Sequence, residues 1–66
     1  MKPTHYEITV RGHLSARLVA GFDGLTAVPL PAATVLRGEM DQAALYGVLA
    51  RMESLGLELV DFRRAV

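Results

Sequence analysis

The segment between Asp41 and Gly56 constrains the fold more than any other, because it carries signals for both ends of a helix. Asp41 is a good N-cap residue, since its carboxylate accepts backbone N–H bonds and favours the positive end of the helix dipole. The helix is predicted to run to Leu55, because Gly56 stands where a left-handed C-cap residue is needed. Apolar residues recur at helical spacing at Leu45, Val48, Leu49, Met52 and Leu55. They predict one apolar stripe that faces a sheet.

Alternation of polar and apolar residues predicts a half-buried strand at the start of the chain. Its apolar side carries Tyr6, Ile8 and Val10, and its polar side carries His5, Glu7, Thr9, Arg11 and His13. We therefore expect one side of this strand to enter the core.

The next region predicts a short helix or turn and then a second strand. Residues 14–22 space their apolar side chains helically, with Ser15 as the N-cap. Asp23-Gly24 is a turn signal, after which residues 25–28 can form a strand. Pro29-Leu30-Pro31 is predicted to be a loop, because two of its residues lack the N–H that a strand ladder requires.

Two further strands complete the predicted fold. Residues 34–40 resume a strand, so residues 25–40 predict an antiparallel hairpin, and residues 57–62 return to strand chemistry after the helix. The predicted order is strand, short helix or turn, strand, strand, helix, strand. We expect a single α+β domain over residues 1–66, a two-layer sandwich in which one long helix covers one face of an antiparallel-dominated, four-stranded sheet.

The small size of the chain predicts self-association. A chain of 66 residues buries only about 60% of its unfolded surface, so its core is expected to be marginal. The sequence has no cysteine for disulfides or thiolate metal sites, and 52% of its residues are hydrophobic. A homo-oligomer, in the simplest case a dimer, would cover the excess apolar surface.

Charge and hydropathy limit the cellular locations and the classes of binding partner that the sequence predicts. Seven basic and seven acidic residues give no net charge to attract nucleic acid or an anionic membrane. No apolar run approaches the roughly 20 residues of a membrane span, and residues 1–7 have no apolar core of a signal peptide. The sequence therefore predicts a cytoplasmic protein.

Candidate sites for chemistry are sparse. His5 and Glu7 lie about 6 to 7 Å apart along a strand and can supply two metal ligands, but His13 is too distant to join them. The arginines lack the interleaved aromatic residues of sheet-type RNA readers. No phosphate loop or nucleophile motif is present, and Asp23 and Asp61 become acid or base candidates only if burial shifts their pKa. We expect no metal, no cofactor and no catalytic residue.

A strip of small residues on the long helix is the more informative feature. Ala43, Gly47, Ala50 and Ser54 lie beside Tyr46 on the side away from the apolar stripe. Glycine inside a helix costs about 1 kcal/mol relative to alanine, which suggests close approach of another backbone. Three readings remain open: a subunit contact, cover by residues 14–22 of the same chain, and simple exposure.

The last strand predicts that both faces of the sheet need cover. Leu57 and Leu59 are expected to point to one face, and Val60 and Phe62 to the other. The helix covers only one face, so a second copy is expected on the open face or at a free strand edge. The candidate subunit interface comprises Ala43, Tyr46, Gly47, Ala50, Ser54, Leu57 and Leu59.

The helix and the strand after it resemble a group of short uncharacterised bacterial proteins. The shared sequence motif is D-Q-A-A-L-x-G-x-L-A-R at residues 41–51, followed by L-G-L at residues 55–57 and a basic end at Arg63-Arg64. Tyr46 stands where a histidine is commoner in that group, and Glu58 where a proline is commoner. The resemblance supports the element boundaries and implies no activity.

Three functions remain open at this point. The first is a small homo-oligomeric interaction or regulatory module without catalysis. The second is a small-ligand-binding module with an apolar pocket at the subunit interface. A metal or nucleic-acid binder is the third. A close-packed interface would favour the first function, and an unfilled cavity would favour the second.

Overall fold

A computed structural model describes residues 3–65, and the predicted α+β class is confirmed. Four strands and two helices make up the fold: β1 (Thr4–Arg11), α1 (Ala16–Ala20), β2 (Thr26–Leu30), β3 (Ala33–Met40), α2 (Gln42–Ser54) and β4 (Leu59–Ala65). The strands form one antiparallel sheet in the order β2-β3-β1-β4. Within residues 3–65, no helix has the length and apolar character needed to cross a membrane.

The core lies between α2 and the central strands β1 and β3. Ile8 and Val10 of β1 are fully buried, as the alternation of the first strand predicted. The buried hydrophobic cluster consists of Ile8, Val10, Phe22, Leu36, Met40, Leu45 and Met52. None of these residues comes from β2 or β4, so the two edge strands lie outside the cluster.

The apolar stripe of α2 is confirmed in its middle and wrong at its end. Leu45 and Met52 are buried, and Val48 and Leu49 pack against the cluster while partly exposed. Leu55, in contrast, is 42% exposed. At about 100° per residue, Leu55 lies about 80° around the helix from Leu45, which carries it off the buried face.

Both ends of α2 follow their sequence signals. The Asp41 side chain accepts a hydrogen bond from the N–H of Ala44 at 2.8 Å. Gly56 has a positive φ of 75° and donates its N–H to the carbonyl of Glu53 at 3.0 Å. Leu57 donates its N–H to the carbonyl of Met52 at 2.9 Å, which completes a Schellman motif. Local hydrogen bonds therefore fix where the helix begins and ends.

The loop predicted at Pro29-Leu30-Pro31 is wrong for its first two residues. Pro29 and Leu30 belong to β2 and lie opposite Thr34 and Ala33 of β3, so the turn is displaced to Pro31 and Ala32. The strand tolerates Pro29 because β2 is at the edge of the sheet, where a residue can direct its backbone nitrogen away from the neighbouring strand.

The last strand differs most from its prediction. It spans Leu59–Ala65 and not residues 57–62, and its register against β1 shifts between Thr9 and Val10. Leu59 lies opposite Val10 and Phe62 lies opposite Ile8, so one extra residue intervenes on β4. This bulge places Leu59 and Phe62 on the same, helix-facing side, whereas simple alternation had placed them on opposite faces.

The open face of the sheet is mainly polar and does not carry the apolar surface that was expected there. His5, Glu7, Thr9 and Arg11 lie on this face, as the alternation predicted, because their neighbours in β1 enter the core. Glu7 is flanked by Arg37 of β3 on one side and by Arg63 of β4 on the other. Opposite charges in neighbouring strands suit a face that meets water.

Candidate functional site

A groove lies between α2 and the β1–β4 side of the sheet. Its volume is about 470 Å³. Apolar, aromatic and polar side chains line it: Thr4, Tyr6, Met40, Gln42, Leu45, Tyr46, Leu49, Phe62, Arg63 and Arg64. The groove exists because α2 packs over β1 and β3 and leaves β4 uncovered.

Two stacked aromatic rings form one wall of the groove. The rings of Tyr6 and Phe62 have centroids 5.5 Å apart and an interplanar angle of 16°. Phe62 remains 41% exposed although it points to the helix side. The apolar row that crosses the sheet from Leu36 through Ile8 therefore ends in a ring that is only partly covered.

The rim of the groove is polar. Tyr46 of α2 is 60% exposed, and its hydroxyl accepts a hydrogen bond from the Gln42 amide at 3.0 Å. Arg64 lies on β4 opposite Tyr6. Within residues 3–65 the salt bridges are Arg11–Glu58 and Arg63–Asp61, so neither involves Arg64.

A second, smaller cleft continues the apolar surface toward the start of β4. Its volume is about 210 Å³, and Leu49, Met52, Glu53, Leu57 and Leu59 line it. Leu49 contributes to both clefts. The two clefts between α2 and β4 therefore meet at Leu49.

The edge of β4 carries the greatest concentration of exposed apolar residues. Among the large hydrophobic residues exposed within residues 3–65, Leu59 is 49%, Val60 is 53% and Phe62 is 41% exposed. A long edge strand with exposed apolar side chains is a ready template for pairing with another chain. We name the surface formed by β4 and the adjoining groove the β4 surface.

The predicted interface residues divide between two places. Tyr46, Leu57 and Leu59 line the two clefts beside β4. The small residues Ala43, Gly47, Ala50 and Ser54 are exposed on α2. Sequence reasoning missed Tyr6, Phe62 and Arg64 as members of a shared surface, because only the pairing of β1 with β4 brings them together.

Gly47 has open space around it. A Cβ atom added at Gly47 would meet no atom within 4 Å outside its own helix. The segment of residues 14–22 therefore does not cover this position. That segment instead contacts the helix at Arg51, whose guanidinium lies 5.7 Å from the centroid of the Phe22 ring.

The histidine and carboxylate side chains of residues 3–65 do not form a metal-binding cluster. Within residues 3–65, no group of three or more histidine, cysteine, aspartate and glutamate side chains is placed to hold a metal ion. His13 lies with its Nε2 2.7 Å from the carbonyl oxygen of Leu30, to which its ring N–H donates. His5 and Glu7 lie on the open face of the sheet, and Asp23 and Asp61 are exposed.

Comparison with known proteins places the chain in one family. No curated protein matches the chain. No solved structure matches it either. A family model described as Domain of unknown function (DUF8691) matches residues 5–63, a range that includes both helices and most of the sheet. Since that match spans most of the sequence, the chain belongs to the family DUF8691.

Proposed function

We propose that this chain is a small homodimeric interaction module that meets its second copy through the β4 surface and has no catalytic role. The observation that carries the proposal is the exposure of Leu59, Val60 and Phe62 along an edge strand, beside a groove lined by apolar side chains. Self-association is therefore the proposed function, because the fold of one chain leaves this apolar surface uncovered.

The small core supports a second copy. Among residues 3–65, only seven hydrophobic residues are buried, and the largest fully buried side chains are Ile8, Leu36 and Val10. Burying further apolar surface contributes roughly 25 cal/mol per Å². Association through β4 therefore adds stability to a single chain whose own core is small.

The resemblance of the α2 motif to short bacterial proteins supports a bacterial setting for this module.

Sedimentation equilibrium across the micromolar range tests the proposal. We expect twice the 7.2 kDa mass of one chain, and thermal stability that rises with protein concentration. Phe62→Thr should shift the mass toward one chain, because it removes the exposed ring but keeps a residue suited to a strand. Leu30→Thr is the matched control, since Leu30 is also 41% exposed but lies on the opposite edge strand, β2. A mass of one chain at all concentrations would refute the proposal.

The groove supports a second candidate function, the binding of a small apolar molecule. Its volume of about 470 Å³ lies within the range of small-ligand sites, and Tyr6, Leu49 and Phe62 give it apolar walls with Arg64 among its polar lining residues. Native mass spectrometry of protein purified from its host would show a ligand as excess mass. Leu49→Trp should abolish that excess by filling the groove, while Leu55→Trp, at an exposed site outside it, should retain it. Protein without excess mass would oppose this function.

A further inference from the structure

The two free edges of the sheet differ in their ability to pair with another strand. Gly12 donates its N–H to the carbonyl of Ala32 at 2.9 Å, which continues the register of β1 with β3. Backbone groups alternate in direction along an antiparallel strand, so Thr34 points its groups to β1 and Pro29, opposite Thr34, points away from the sheet. Pro29 therefore removes the donor at one of the two outward-facing positions of β2, Ala27 and Pro29. Within residues 59–65, β4 contains no proline.

The same alternation shows which groups of β4 are free. Arg11 donates its N–H to the carbonyl of Glu58 at 2.9 Å, so the odd-numbered residues of β1 bond to β4. Ile8 bonds to β3, and Phe62 opposite it must direct its N–H and C=O away from β1. Phe62, the middle residue of β4, thus presents a partly exposed ring together with a free donor and a free acceptor at the edge.

The charges of β4 select one register for self-pairing. Two copies of β4 can pair antiparallel about a twofold axis (dyad) perpendicular to the sheet, which keeps the α2 helices of both copies on the same side. The residue on that axis then lies opposite the same residue of the second copy. A dyad at Asp61, Arg63 or Arg64 opposes like charges. A dyad at Phe62 instead places Asp61 opposite Arg63 of the second copy, twice by symmetry, and joins the two Phe62 rings on the helix side.

The local geometry permits this register. The bulge lies between Thr9 and Val10, and the pairs from Thr9↔Asp61 to His5↔Ala65 follow without a further shift. Asp61 and Arg63 lie on the open face, where they already form a salt bridge of 3.2 Å within one chain with side chains 48% and 67% exposed. Both are therefore accessible to a partner strand.

We infer that two copies join their β4 strands antiparallel about a dyad at Phe62, forming one continuous eight-stranded sheet from two four-stranded sheets. This inference rests on the proposed homodimer and specifies its surface and register. The row Leu36–Ile8–Phe62 then continues through the second copy, and the two grooves flank the dyad. Each groove gains the second Phe62 ring at its open side.

Charge reversal with mixing tests the register. Asp61→Arg and Arg63→Asp each oppose like charges across the dyad, so each variant alone should dimerise about tenfold more weakly or worse. An equimolar mixture should form a heterodimer with near wild-type affinity, because every pair across the dyad is then opposite in charge. Neither variant retains the Asp61–Arg63 pair within its own chain, so the rescue can come only from the partner. Native mass spectrometry distinguishes the species by mass.

Glu58→Arg provides the control, because it changes the charge by the same amount and breaks the exposed Arg11–Glu58 salt bridge before β4 begins. It should dimerise as the wild type does. Circular dichroism checks that each variant folds. If the wild type is a dimer and the mixture does not restore association, or the single variants are unaffected, the register is wrong while the homodimer stands. A monomeric wild type refutes both.

Discussion

At the scale of single residues, the glycines of β3 and α2 have opposite structural roles. A Cβ atom at Gly38 would lie 2.7 Å from the carbonyl oxygen of Gly24 and 2.8 Å from Cδ2 of Leu25. A Cβ atom at Gly47 would meet nothing within 4 Å. Gly38 is therefore required by close packing of the turn before β2 against β3, whereas Gly47 is not required by the single chain.

Gly38→Ala should lower the free energy of unfolding by about 1 to 3 kcal/mol, because the backbone oxygen of Gly24 cannot rotate away as a flexible side chain would. Urea denaturation followed by circular dichroism measures the change. An unchanged denaturation midpoint would show that the turn carrying Gly24 moves freely.

Gly47→Ala should raise the free energy of unfolding by about 1 kcal/mol, because alanine is the better helix former and the site has room for its methyl group. The same denaturation experiment applies. Sedimentation of this variant also separates two interfaces: dimerisation should be unaffected if the second copy lies on the β4 surface, and a weakened dimer would instead point to the small-residue strip of α2.

At the scale of elements, α2 is placed by few side chains. Leu45 and Met52 enter the buried cluster, Val48 and Leu49 pack at its margin, and Leu55 caps the helix in an exposed position. Leu49, the middle residue of the predicted apolar stripe, is only partly buried and lines both clefts. The greatest loss on truncation is therefore expected one turn earlier, at Leu45.

Leu45→Ala should cost about 2 to 5 kcal/mol, which is enough to unfold a domain of this size. Leu49→Ala should cost less than Leu45→Ala, because its side chain leaves less of its surface in the core. Leu55→Ala serves as the exposed control and should stay within about 0.5 kcal/mol of the wild type. Thermal melts rank the variants, and equal losses at Leu45 and Leu55 would contradict the observed rotation of α2.

At the scale of the whole molecule, the sheet order determines what is left exposed. Placing β1 and β3 at the centre gives α2 a two-strand platform and leaves β2 and β4 as edges. Pro29 interrupts the β2 edge, and the charges of β4 oppose one another favourably only about Phe62. The molecule is thus asymmetric, with one edge unsuited and one edge suited to self-pairing.

Chelation should leave the fold unchanged. His5 and Glu7 supply at most two ligands from one chain, whereas a structural zinc site uses four. Dialysis against a chelator should therefore not alter the thermal melt followed by circular dichroism. A large loss of stability that is reversed by added zinc would contradict this expectation.

Features governed by neighbouring residues were predictable from the sequence. Asp41 and Gly56 set the ends of α2, Ser15 caps α1 by accepting the Leu18 N–H at 3.2 Å, and the alternation around Ile8 set the buried side of β1. Each signal acts within one or two turns of backbone, through a cap hydrogen bond or a repeat of side-chain direction.

Only the tertiary structure decided the features that depend on distant partners. The alternation of β4 could not reveal the bulge that brings Leu59 and Phe62 to one face, because that register is set by pairing with β1, far away in the chain. From the sequence alone Pro29 predicts a break in the strand, but the sheet order places β2 at an edge, where a proline is tolerated. The sequence by itself determined the order of the elements, the ends of α2 and the buried side of β1. The tertiary structure determined the faces of β4 and which apolar side chains remain uncovered, because these depend on strand pairing and on which strands lie beneath α2.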